Sequence, residues 1–134
     1  MRASWTTPGQ DANRRFGIPQ AETHGDPERL RQVVVNLLSN ALRHTPPGGR
    51  IDVRTSVEGE HVVLEVLDTG PGIAAEDLAH VFERFYRGAG AEASSGSGIG
   101  LAVAAELVAA HDGTIQARNL PEGGAAFTVR LPAS

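Results

Sequence analysis

GDPERLRQVVVNLLSNALRHTPPGG, residues 25–49, decides how the rest of the chain must fold. Asp26 is a good N-cap, Pro27 suits the first helical position, and Pro46, Pro47 and Gly48 stop a helix. Between them Leu30, Val33, Val34, Leu37, Leu38, Ala41 and Leu42 follow the i, i+3, i+4, i+7 spacing of a helix with one apolar side. Such a side must be buried against another layer, and the residues that follow supply it. IDVRTSV alternates, Glu58-Gly59-Glu60 turns the chain, and HVVLEVLD reads as a more buried strand ending at Asp68.

Further along, AAEDLAHVFERFY (residues 74–86) reads as a short amphipathic helix, and RGAGAEASSGSG as a mobile loop of about a dozen small residues. GIGLAVAAELVAAHDG is a helix closed by Gly113. GTIQARNL, the turn PEGGA and AFTVRLP make a final antiparallel hairpin. The first residues, 1–19, lack periodicity and read as a loosely ordered leader, with one short strand expected near residues 20–24 and a single domain over 20–134. The fold class is therefore a two-layer α/β (α+β) sandwich. It has a mixed, mostly antiparallel sheet of about five strands with about three helices on one face.

Composition narrows the function. The chain has 134 residues, a net charge of −4 and no cysteine. Disulfides, thiolate metal sites and cysteine nucleophiles are thereby removed. All 12 basic side chains are arginines, without a cluster, so nothing favours nucleic acid. No apolar run approaches the ~20 residues of a membrane span, so no membrane contact by this segment is expected. The expected location is cytoplasmic, alone or as the cytoplasmic part of a membrane-anchored protein.

Three places carry chemistry. Asn36 and Asn40 stack one turn apart on the first helix, and His44 continues their row. They are either surface amides bonded to neighbouring loops or neutral oxygen ligands facing a cleft, suited to Mg²⁺ carried in with a nucleotide. Asp68 ends a strand and is followed by Gly70 and Gly72. This is either a plain turn or an acceptor for an exocyclic amine such as that of adenine. Gly96, Gly98 and Gly100 precede the last long helix, where they serve as a hinge or let backbone N–H groups approach a phosphate. A Rossmann turn is ruled out by Leu101 in the place of its third glycine, and a P-loop by the absence of lysine.

VVNLLSNALRHTPPGG, LDTGPGI, FERFYRG and SGSGIGLAVA, in that order, resemble the catalytic ATP-binding domain of bacterial sensor histidine kinases. That family lies within the gyrase/Hsp90/histidine kinase/MutL superfamily with its Bergerat-type fold. The resemblance implies ATP and Mg²⁺ as ligands, with Asn40 on the metal and Asn36 beside it. It implies Arg43 near the phosphates, His44 where an aromatic often stacks on adenine, and Asp68 on the adenine amine, with Gly70, Gly72 and Ile73 shaping that wall. Phe82 and Phe85 match lid-anchoring phenylalanines, though core packing explains either ring equally well. Arg84 and Arg87 are candidates for the γ-phosphate or lie on a solvated helix face. Gly96, Ser97, Gly98, Ile99, Gly100 and Leu101 match the loop that closes over the triphosphate; Ser97 stands where threonine is common.

Hydrolysing relatives place a glutamate one turn before the metal asparagine, as a general base. Asn36 occupies that place here and cannot take a proton near neutral pH, which favours phosphoryl transfer over hydrolysis. The implied partner is a dimerisation domain carrying the phosphoacceptor histidine, and through it a response regulator. Of His24, His44, His61, His80 and His111, only His111 precedes an acid, and its place at a helix end reads as structural. An anti-sigma-factor-type serine kinase and a non-catalytic ATP-gated interaction module are the alternative functions.

Overall fold

The computed structural model describes residues 2–6, 26–84 and 100–133, the first five as backbone only. The elements run β1 (Arg2–Thr6), α1 (Pro27–His44), β2 (Arg50–Glu58), β3 (His61–Asp68), α2 (Ala75–Leu78), α3 (Gly100–Ala110), β4 (Thr114–Asn119) and β5 (Ala125–Pro132). The strands form one sheet in the order β1-β2-β3-β5-β4.

α1 forms as its sequence dictates. The Asp26 carboxylate accepts from the Glu28 N–H at 2.9 Å, Pro27 occupies the first turn, and the Thr45 N–H closes the last turn on the Ala41 carbonyl. Its apolar side, with Val33, Leu37 and Ala41, joins Ala104 and Val108 of α3 over Ile51, Val53, Val66, Phe127 and Val129 of the sheet. Register aligns these residues: Val53 faces Val66, Val66 faces Phe127, and Phe127 faces Ala117, giving one apolar row across four strands. On the opposite face Arg118 pairs with Glu65 at 3.4 Å, and Arg130 lies 3.8 Å from Glu58. The helices lie on one side of the sheet and these ion pairs on the other, which gives the two-layer sandwich.

Three elements differ from the expectation, and one expected strand falls outside the described residues. Arg2–Thr6, inside the stretch read as a leader, is an edge strand paired antiparallel with β2; five residues leave too few positions for a periodic signal. The strand expected near residues 20–24 lies outside the described residues. Every described pairing is antiparallel, so the expected parallel admixture is absent among them. The helix expected over residues 74–86 is one turn, Ala75–Leu78, with no side-chain cap at Ala74. Beyond it the backbone continues in separate tight turns, with His80 N–H on the Asp77 carbonyl and Glu83 N–H on that of His80, both at 2.9 Å. The apolar spacing was real, since Val81 and Phe82 still reach the core.

The end of α3 adds a refinement. Asp112, rather than Gly113, takes the left-handed conformation (φ 61°), which a short polar side chain tolerates. Gly113 donates to the Val108 carbonyl at 2.9 Å, and a side chain there would collide with the Arg130 carbonyl.

Leu37 is fully buried where α1, α3 and the sheet meet. Leu37→Ala should destabilise the domain by about 2–5 kcal/mol in denaturant titration. A change below about 1 kcal/mol would mean that this contact is not the centre of the core.

Candidate functional site

Asp68 is the last residue of β3 and only 4% exposed. A buried carboxylate needs partners. Its Oδ1 accepts the Gly70 N–H at 2.9 Å and the Ala125 N–H at 3.3 Å. No partner holds Oδ2 among the described residues, so one oxygen fixes the side chain and the other remains an acceptor. The backbone crowds this point. A Cβ on Gly70 would lie 2.5 Å from the His44 carbonyl, and one on Gly124 would overlap the Asp68 carbonyl. Gly70 and Gly124 thus let three segments meet: the end of α1, the end of β3 and the start of β5.

The polar row of α1 connects this point to α3. Asn36 donates from Nδ2 to the Gly100 carbonyl at 2.9 Å, while its Oδ1 accepts from Gln32 at 2.6 Å. The sequence suggested either a loop contact or a ligand role for Asn36; the structure places it in a bond between two helices. Asn40, 7% exposed, has no hydrogen-bond partner for its amide among the described residues. The two asparagines therefore differ: one amide is occupied, the other is available. Eight residues on from Asn36, His44 sits beside the Asp68 turn, roughly 12 Å along the helix. Arg43 and His44 are both exposed, in the last turn of α1.

α3 opens at Gly100 with no acidic residue in its first turn, so its positive end faces no competing carboxylate on its own helix. No atom of the described residues would lie within 4 Å of a Cβ on Gly100. Leu101 turns into the core instead. Phe82 packs edge-on against Phe127, with ring centroids 6.0 Å apart and planes at 83°. Arg84 is paired with Glu106 of α3 at 2.6 Å rather than reaching toward the Asp68 turn. Phe85, Arg87, Gly96, Ser97, Gly98 and Ile99, and with them the expected lid, lie outside the described residues.

Ile73 is held by a residue that sequence reasoning missed. Asn119, at the end of β4, accepts from the Ile73 N–H and donates to the Ile73 carbonyl, both at 2.7 Å. Glu106 and Gln32 were missed in the same way. Each acts across the fold or along a helix on a polar surface, where its residue type alone carries no signal. His111 behaves as a strut: Nδ1 contacts the Leu107 carbonyl at 2.8 Å and Nε2 accepts the Asp26 N–H at 3.2 Å, joining the end of α3 to the start of α1.

Residues 25–134 match the family described as histidine kinase-, DNA gyrase B- and HSP90-like ATPase, to which the chain belongs. Its relatives are bacterial sensor kinases. It is 44% identical over 125 residues to the sensor protein SphS of Synechococcus elongatus, covering 87% of this chain and 30% of that protein. It is 42% identical over 121 residues to the signal transduction histidine-protein kinase BaeS of Escherichia coli, covering 88% of this chain and 26% of that one. The chain thus spans less than a third of either relative. Among solved structures, the mycobacterial sensor histidine kinase MprB superposes with a TM-score of 0.77 at 37% identity, over 83% of this chain and 76% of that chain. Full-length ShkA in complex with AMPPNP superposes at 0.72 and 33% identity, over 87% of this chain and 24% of that chain. Among the described residues no helix is long and apolar enough to cross a membrane.

The His44 ring titrates below the ordinary histidine value: partial desolvation lowers it first, the Arg43 charge lowers it further, and Asp68 pulls the other way. Unfolded, the ring takes its proton near pH 6.5; folded, it does so at lower pH. Between those values the unfolded chain binds more protons. The His44 contribution to stability is therefore complete above about pH 6.5 and is lost as pH falls through the folded value. An NMR titration should give a His44 midpoint below about 6.5, and a midpoint above it would contradict this environment.

Proposed function

We propose that this domain binds Mg·ATP and donates the γ-phosphoryl group to a histidine on a separate dimerisation and phosphoacceptor domain, as the catalytic part of a two-component sensor kinase. The observation that carries the reading is Asp68: a buried carboxylate pinned through one oxygen by two backbone N–H groups. Such an acceptor matches the exocyclic amine of adenine and mismatches guanine, which presents a carbonyl at that edge. The AMPPNP named with ShkA supports an adenine nucleotide as the ligand.

In this reading the base lies against Gly70, Gly72 and Ile73, the row on α1 runs beneath the nucleotide, and the phosphates approach the N-terminal end of α3. The buried, available amide of Asn40 is a neutral oxygen donor of the kind Mg²⁺ takes, and the ion would offset charge on the phosphates. Arg43 adds positive charge near them. Transfer breaks the bond between the γ-phosphorus and the bridging oxygen, forms a bond from that phosphorus to a ring nitrogen of the acceptor histidine, and releases ADP. Asn36 stands where a water-activating base would be needed. It cannot accept a proton, and its amide is already committed to Gly100 and Gln32. Water is therefore poorly activated, and the phosphoryl group is kept for the acceptor. Arg84 can join the phosphates only by leaving Glu106; both side chains are largely exposed, so that exchange costs little.

Two measurements test the reading. The parent chain should bind ATP in preference to GTP, because an acceptor facing a carbonyl costs about 1–3 kcal/mol. In the same calorimetry Asn40→Ala should weaken Mg·ATP while leaving adenosine nearly unchanged; equal loss for both would make Asn40 structural. In the second, the chain alone should neither phosphorylate itself nor hydrolyse ATP readily. Supplying a sensor-kinase dimerisation domain in trans should give transfer from γ-labelled ATP to that domain's histidine. Acid-labile phosphate on His111 of the chain alone would contradict the assignment.

A further inference from the structure

The turn after Asp68 is held at both ends by one hairpin. At its near end, Ala125, the first residue of β5, donates to Asp68. At its far end, Asn119, the last residue of β4, takes both backbone groups of Ile73 with one amide, each at 2.7 Å. Between them Gly72 has φ +83°, and a Cβ there would lie 2.9 Å from Asn119 Oδ1, so glycine is what allows the amide to come this close. The pairing demands a donor and an acceptor on one planar group. Asparagine supplies both. Aspartate loses the donor and turns negative charge on the Ile73 carbonyl, and alanine loses both.

We propose that Asn119 is a positioning residue for base recognition: it fixes residues 70–73 as the wall against which adenine lies, and so sets nucleotide affinity and base preference without touching the nucleotide. This rests on the adenine reading of Asp68. Because the Asn119 side chain is exposed and is not itself part of the core cluster, its role can be separated from stability. The wall, not the fold, depends on it.

The test compares the parent chain with Asn119→Ala and Asn119→Asp. Calorimetry gives affinities for ATP and GTP, thermal melting reports folding, and NMR amide exchange reports the Ile73 N–H. Asn119→Ala should fold, exchange the Ile73 amide faster, bind ATP roughly three- to tenfold more weakly, and show a smaller ATP-over-GTP preference. Asn119→Asp should bind ATP weakly near pH 7.5. Its affinity relative to the parent at each pH should begin to recover as the pH is lowered to about 4, near the ordinary aspartate value, because the protonated carboxyl regains a donor beside its acceptor. Unchanged ATP affinity and base preference in Asn119→Ala would overturn the proposal. So would failure of that variant to fold, or the absence of acid recovery in Asn119→Asp. A parent chain that binds ATP and GTP equally would instead overturn the adenine reading, and this proposal with it.

Discussion

The hydrogen bonds from Gly70 and Ala125 to one oxygen of Asp68 are the constraint on which the rest of the site depends. A carboxylate buried this far must be bonded, and hydrogen bonds to a charged group contribute about 1.5–3 kcal/mol each. They do more than offset burial. One partner lies in the turn after β3 and the other at the start of β5, so the carboxylate ties a turn to a strand that follows it by 57 residues. The glycines at 70 and 124 are consequences of this junction, because a side chain at either position would run into the His44 or Asp68 backbone. The core would tolerate other residues there; the junction would not.

From that junction α1 acts as a rigid spacer. Its apolar side is buried with Val33, Leu37 and Ala41, which fixes the direction of the adjoining polar row. One end of the row is bonded to the start of α3 through Asn36, and the other abuts the Asp68 turn at His44. In the proposed reading, the span of roughly 12 Å along α1 between the Asp68 turn and the start of α3 is what accommodates a nucleotide. The same bond separates the chemistries available. With its donor on the Gly100 carbonyl, Asn36 is part of the framework, and a carboxylate in its place would both lose that bond and repel the carbonyl.

Much of this was legible in the sequence because it is local. The caps and periodicity of α1, the hairpin of β2 and β3 and the closing pair of β4 and β5 each rest on neighbours within a few residues. Asp68, Gly70, Gly72 and Asn40 were legible because they sit at element ends or on a helix face, where their types are unusual. What escaped is long-range or marginal. Asn119 grips Ile73 from 46 residues away and Glu106 pairs with Arg84 from 22, and neither leaves a trace in its own stretch. The helix expected after residue 74 keeps its apolar spacing but not its bonding, since periodicity reports which side is buried rather than which carbonyl each N–H reaches. The edge strand β1 gave too few alternating positions to be distinguished from a leader.

The central claim is that the Asp68 junction is where the base binds. Titrating the isotopically labelled chain with ADP and following backbone amide shifts tests it most directly. The account predicts that the Gly70, Ile73 and Ala125 amides and the His44 ring respond first and most, while Glu58, Arg118 and Arg130 on the charged face of the sheet stay still. Responses concentrated on that charged face, with the Gly70 and Ala125 amides unmoved at saturation, would contradict it.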